Sequence, residues 1–278
     1  MLFRSIARYV SFPLGAATGG AIVATIGSGT ALLVDAGTYA ASVLLLAAMA
    51  LPVRVRDAST PNFVRELREG WEAFTEHTWV WVLTAWIAFY FLITYAPFFV
   101  LGPYIAKHTL GGAGAWGTVV TGEGIGALVG AIVGLRVQPR RPWVLVGPVF
   151  ALTAIQSLLL AAHAHVVLIA AAAVVSGFSF AYGSVVFETG VQQVIAPERL
   201  SRVSAYNWMA SMTFLPLGYA IAGWIGDRIG MSTYLVIGAG WIIVTTAIVV
   251  SVPGVRDFRL RPAAQAADEE LAAAAMPG

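Results

Sequence analysis

Charged residues in this chain are rare and unevenly placed, and their spacing constrains the fold more than any motif does. No Asp, Glu, Lys or Arg interrupts the 30 residues between Glu76 and Lys107, the 26 between Arg8 and Asp35, or the 27 between Arg228 and Arg256. Each run exceeds the roughly 20 apolar residues, at about 1.5 Å of rise each, that a helix needs to cross a bilayer. The run between Arg141 and Glu188 reaches 46 residues, and the trio His163, Ala164, His165 divides it near the middle into two crossings. Only 11% of the 278 residues are charged and 59% are apolar, with a mean hydropathy of +0.80. A soluble domain carries about a quarter charged, so lipid must solvate most of this exterior. There is no cysteine, which removes disulfide frameworks, cysteine-ligated zinc and thiol nucleophiles.

The sequence thus predicts an all-α polytopic membrane protein with about eight spans, over 12–27, 29–53, 79–106, 114–135, 142–163, 165–192, 202–227 and 231–253. Fourteen of the 16 Lys and Arg fall in alternate segments, at Arg4, Arg8, Arg54, Arg56, Arg65, Arg68, Arg136, Arg140, Arg141, Arg199, Arg202, Arg256, Arg259 and Arg261. Lys107 and Arg228 occupy the intervening loops. Because cytoplasmic loops hold the excess of basic residues, both termini and the longest loop are expected in the cytoplasm. The pI near 9.0 then reflects topology, with no nucleic-acid partner. A basic start at Arg4 and Arg8 before an apolar stretch also fits a secretory leader, but the repeat described next argues for a retained helix.

The segment 54–78 is patterned like a soluble helix. Thr60 and Pro61 suit an N-cap and first-turn proline, and Phe63, Leu67, Trp71 and Phe74 share a face. Arg65 with Glu69 and Arg68 with Glu72 place opposite charges four residues apart. This predicts an amphipathic helix lying on the membrane or on the helix bundle, with a solvated linker helix as the other reading.

A long-range repeat orders the spans. With Pro13 set against Pro216, an offset of 203, twelve of the 25 positions 13–37 are identical without a gap. They are Pro13, Leu14, Gly15, Ala17, Gly20, Ile22, Ile26, Gly27, Thr30, Leu32, Ala36 and Gly37. Chance in so biased a composition gives about one match in ten. The first and seventh spans are therefore counterparts, which makes the repeat unit six helices of shared orientation.

Three further segments are distinctive. Leu67, Arg68, Glu69, Gly70, Trp71 precede a Trp-rich span; Arg140, Arg141, Pro142 form a turn; and Ala196, Pro197, Glu198, Arg199, Leu200, Ser201, Arg202, Val203 lead into the seventh span. With the repeat, these resemble bacterial major facilitator superfamily exporters of the siderophore- and drug-efflux type, over nearly the whole chain. Where Ser201 stands the family usually has Gly. The resemblance implies helices five to twelve of a twelve-helix transporter, without the first four. Residues 1–53 would close the N-terminal bundle, 54–78 link, 79–253 form the complete C-terminal bundle, and 254–278 a disordered cytoplasmic tail. It also implies a bacterial inner-membrane antiporter exchanging protons for a small amphipathic substrate, needing no cofactor. A separate or upstream N-terminal half is an implied partner. The alternative is a truncated, non-transporting membrane protein. Gly223, Asp227, Arg228 and Gly230 fit the family's G-x-x-x-D-R-x-G pattern, yet they fall on the outer side, so Asp227 and Arg228 are expected to form only a local helix-end charge pair.

Acids inside spans are costly and are functional candidates by default. There are three: Asp35, Glu123 and Glu188. Glu123 lies about ten residues from either end of its span, about 15 Å from each surface, which suits proton coupling or substrate contact. A hydrogen-bonded structural acid is the competing reading. Asp35, beside Thr38 and Tyr39 near the outer face, reads as structural. Glu188 with Gln192 and Gln193 makes a polar strip that either lines a pathway or meets headgroups. Asn207, with Trp208, Tyr90, Tyr95 and Tyr182, offers stacking and hydrogen-bonding groups for a substrate, or packing and interface anchors. His163 and His165 bracket an outer turn, as a wet loop or a metal pair. Gly122, Gly126, Gly130 and Gly134 repeat every four residues, and Gly15 and Gly19 form a shorter stripe, both permitting close helix approach. The resemblance pairs these two helices across the bundle interface. Arg140, Arg141, Arg199 and Arg202 are expected as cytoplasmic loop charges. The chain lacks H-E-x-x-H, G-x-S-x-G and a glycine-rich phosphate loop, so no enzyme chemistry is expected, and no metal.

Overall fold

The computed structural model describes residues 28–48 and 63–260. The expected first span with Gly15 and Gly19, residues 54–62 of the linker, and residues 261–278 of the expected 254–278 tail lie outside the described residues. Residues 254–260 of that tail are ordered, because Val255 and Leu260 are buried and Phe258 stacks on Trp79. The chain divides into two compact units, Met1–Glu66 and Leu67–Gly278.

In the first unit, helix α1 runs Ser28–Ala48. Its Thr38 hydroxyl donates to the Asp35 carbonyl at 2.7 Å and its Ser42 hydroxyl to the Thr38 carbonyl at 2.9 Å. In-span hydroxyls are thus satisfied within the helix. Residues 49–53 of the predicted span lie outside the described residues.

Helix α2, Phe63–Glu76, continues into the second unit. Six further helices among the described residues are long and apolar enough to cross a membrane. They are α3 Thr78–Leu110, α4 Ala113–Arg136, α5 Pro142–Ala161, α6 Val166–Val194, α7 Pro197–Ile229 and α8 Met231–Ser251. A single turn, α9 Pro253–Arg256, follows. All described regular structure is helical, and the six long apolar helices fit a polytopic membrane protein by length and composition. The predicted ends hold within a few residues, except that α7 begins five residues earlier than expected. Ala196 is extended, with ψ 141°, and Pro197 takes the first helical turn, where its missing N–H costs nothing.

Short turns make successive helices alternate in direction. The starts of α3, α5 and α7 therefore share one end of the bundle with the ends of α4, α6 and α8. That end carries Arg136, Arg140, Arg141, Arg199, Arg202, Arg256 and Arg259, and the other carries Lys107 and Arg228. Outward positions such as Ile125, Val129, Leu145, Ile155, Ile237 and Val244 are exposed and apolar, as a lipid-facing surface requires.

Packing is dominated by α4 on α6, where the glycine stripe lies. A Cβ at Gly122 would come 2.6 Å from the Ala170 carbonyl oxygen, and at Gly126 and Gly130 it would meet the carbonyl oxygens of Val174 and Phe178. From the other side, a Cβ at Gly177 would strike the Glu123 carbonyl. The stripe is thus occupied by α6, within the same unit. Four glycines in register remove the side-chain layer and let two backbones meet, while the first span, which the resemblance also pairs with α4, lies outside the described residues. Helix α8 packs along α5, and α7 along α3.

Prolines shape the helices. Pro148 lacks a donor, and α5 tightens at Leu152, whose N–H bonds the Val149 carbonyl three residues back. Ser179 of α6 also donates to that carbonyl, at 2.9 Å. Helix α3 widens to π-helical turns at Phe91–Tyr95, just before Pro97, and at Ala106–Leu110, just after Pro103.

Helix α2 rests on α7. Tyr206 donates its hydroxyl to the Leu67 carbonyl at 2.9 Å and packs against Trp71 and Phe74, while Arg202 pairs with Glu69 at 2.7 Å. Gly70, Ala73 and Phe74 are buried, whereas Leu67 and Trp71 remain 43% and 53% exposed. The buried face is therefore rotated from the Leu67–Trp71 line, because Gly70 admits Arg202 and Tyr206 closely. Arg68 pairs with Glu72 at 2.8 Å as its spacing suggested.

Candidate functional site

The site is built where α3 loses its regular register. Pro97 cannot donate to the Ile93 carbonyl, and the chain widens at Phe91–Tyr95. Thr94 donates to the Gly238 carbonyl of α8 at 3.0 Å, pinning the widened turn. Tyr90 and Tyr95 flank it, with ring centroids 6.1 Å apart. Tyr90 is fully buried against Phe150, and Phe91 packs on Phe180.

Glu123 enters this region from α4. It is 9% exposed, and its Oε2 has no hydrogen-bond partner within the protein. Residues 113 and 136 bound α4, so Glu123 stands about 15 Å from one end and about 20 Å from the other. Tyr90, Tyr95 and Tyr219 lie within its electrostatic reach. The Tyr90 hydroxyl faces those of Ser176 on α6 and Thr153 on α5. Thr153, Gln156 and Ser157 are each at least 98% buried, and Gln156 Oε1 and Ser157 Oγ lack protein hydrogen-bond partners. An unpaired buried polar atom costs about 1–3 kcal/mol, so several on α4 and α5, which both pack on α6, mark an interior built to meet something other than its own side chains.

Of the sequence candidates, Glu123 and Tyr95 are brought together. Glu188 is half-buried on α6, eleven residues beyond the Gly177 that touches Glu123, hence about 16 Å along the axis. Gln192 is exposed one turn further. Asn207 accepts from Thr84 at 3.0 Å, tying α7 to α3, about 9 Å along α3 from Tyr90. Tyr182 donates to the Val137 carbonyl at 3.2 Å and stacks on Phe178, a packing role. Asp35 belongs to the other unit. Arg140, Arg141 and Arg199 are exposed at the basic end, and Arg202 is taken up by Glu69.

At the opposite end, His163 has φ 50° and meets Thr109 at 3.2 Å and Ser232 at 3.5 Å, joining three turns. His165 accepts from the Val167 N–H at 3.4 Å as the cap of α6. The two histidines therefore face different partners. Arg228 lies over the Trp224 ring at 4.0 Å, and among the described residues no ion pair joins it to Asp227, which corrects the expected charge pair: the face of the exposed indole takes up the guanidinium through cation–π attraction.

Thr153, Gln156, Ser157, Ser176 and Tyr219 went unread as site residues. A signal existed: Thr153, Gln156 and Ser157 fall at i, i+3 and i+4, one face of a helix, and Gln156 is the sole amide side chain in the 46-residue uncharged run.

No family model, curated relative or solved structure matches the chain. The functional reading therefore rests on the residues themselves.

Proposed function

We propose that this chain is a secondary transporter that exchanges protons for a small amphipathic molecule by alternating access, in the manner of a major facilitator exporter. The observation that supports this most is Glu123: a carboxyl deep in a membrane-spanning bundle, with one oxygen free of protein partners, beside tyrosines and unpartnered hydroxyls. A carboxyl of this kind can take up a proton from one side and release it to the other as the site changes access. The aromatic rings of Phe91, Tyr95 and Phe180 give the same interior an apolar wall, which suits a ligand with both apolar and polar parts.

The test is proton flux in vesicles containing the full chain and a trapped pH-sensitive dye, driven by an imposed pH gradient and challenged with amphipathic dyes. Substrate-dependent proton movement is expected, and Glu123→Gln should reduce it about 100-fold while the protein still inserts and still binds substrate. Flux unchanged in Glu123→Gln overturns the coupling role. Absence of any substrate-dependent flux in the unsubstituted chain favours the non-transporting reading.

A further inference from the structure

The basic end of the bundle carries a groove that the helices alone do not form. After α9 the chain turns back under the bundle: Phe258 stacks on Trp79 at 4.1 Å, Val255 and Leu260 are buried, and the Leu260 N–H bonds the Arg140 carbonyl at 3.1 Å. This strap carries Arg259 to the α4–α5 turn. The result is an open groove of about 420 Å³ lined by Pro139, Arg140, Arg141, Val144, Leu145 and Arg259. Three arginine residues from two separate segments thus border one mainly apolar opening, and all three are exposed.

The neighbouring acid offsets only part of this charge, one carboxylate against four arginines. Asp257 is engaged by Arg256 at 3.2 Å, and that hydrogen bond, with the fields of Arg141 and Arg259, holds its carboxyl below the usual range. Among the described residues, Arg140, Arg141 and Arg259 make no ion pair.

A second feature distinguishes possible occupants. The rest of the groove wall is apolar, and from Val144 and Leu145 an exposed apolar track continues along α5 through Pro148, Leu152, Ile155 and Leu158. Leu145 to Leu158 spans about 20 Å, comparable with the roughly 15 Å of one leaflet's hydrocarbon. A soluble anion would need the arginines alone. A lipid needs the charge at the membrane surface and an apolar path below it, and the groove supplies both in the right order.

We infer that this groove is a binding site for the phosphate headgroup of an acidic glycerophospholipid, with an acyl chain lying along the outer face of α5. Guanidinium recognises phosphate oxygens in a fixed fork, and basic pockets at the ends of membrane helices hold such headgroups. The inference depends on membrane insertion and not on transport.

The test is lipid retention. The full chain is placed in nanodiscs of equal phosphatidylglycerol and phosphatidylcholine, recovered in mild detergent, and its retained lipids are counted by mass spectrometry. Phosphatidylglycerol is expected enriched about tenfold or more, and less so at high salt. Arg140→Gln with Arg141→Gln and Arg259→Gln should remove the enrichment, while Arg228→Gln at the opposite end keeps it. Arg259→Gln alone leaves the α4–α5 turn unaltered and should lower enrichment about threefold, which guards against a folding defect in the triple variant. Equal retention of both lipids, or enrichment unchanged in both groove variants, overturns the inference. Displacement of the lipid by millimolar inorganic phosphate would also overturn it, in favour of a soluble anion.

Discussion

At the residue scale, glycines and one acid decide most. Gly126 and Gly117 stand on the same helix in opposite situations. A Cβ at position 126 would meet the Val174 backbone, whereas at 117 it would meet nothing within 4 Å. Backbone cannot move aside as a flexible side chain does, so Gly126→Ala should force α4 from α6 and destabilise the protein by about 1–3 kcal/mol. Gly117→Ala should be neutral or slightly stabilising, since alanine favours helix. Thermal unfolding in detergent, run on both variants, checks the contrast; equal behaviour would mean that the stripe carries no packing. The candidacy of Glu123 was legible from depth alone, because acids in long uncharged runs are conspicuous. Its companions were not: Thr153 and Ser176 are common residues in membrane helices, and only their approach to Tyr90 gives them meaning.

At the element scale, α2 shows how a short amphipathic helix selects its support. It is held by the Tyr206 hydroxyl on the Leu67 carbonyl and by the Arg202–Glu69 pair. The pair is about a third exposed on one side and more on the other, and such pairs contribute about 0.2–1 kcal/mol. The hydrogen bond contributes about 0.5–1.5 kcal/mol. Tyr206→Phe should therefore loosen α2 at least as much as Arg202→Gln. Hydrogen exchange of the amides at 67–76 should rise up to about tenfold in Tyr206→Phe, and unchanged protection would show that ring packing alone holds the helix. Of the apolar face read from the sequence, Phe74 is buried and packs on Tyr206 while Leu67 and Trp71 stay exposed, and the closest approach to α7 is at Gly70, where a missing side chain admits it.

At the scale of the whole molecule, the alternation of helices collects seven arginines at one end of the second unit and leaves Lys107 and Arg228 at the other. The excess of positive charge is expected to hold that end in the cytoplasm. Because the chain has no cysteine, single thiols report orientation cleanly. Ala164→Cys, in the α5–α6 turn, should react with a membrane-impermeant maleimide on intact cells, and Gln138→Cys, in the α4–α5 turn, only after permeabilisation. The reverse pattern would place the arginine groove in the other leaflet.

The sequence by itself determined that this is a membrane protein, where most of its spans lie, which end is basic and which acid is deepest. Those properties follow from the local cost of placing each residue in hydrocarbon, and that cost adds up along the chain without reference to partners. Only the tertiary structure decided which helices meet. Lipid tails are as apolar as leucine, so hydrophobicity does not choose between neighbours in a bilayer, and close packing does. That is why the glycines of α4 face α6, why Tyr90, Glu123, Thr153 and Ser176 converge from four helices, and why Arg259 reaches Arg140 and Arg141.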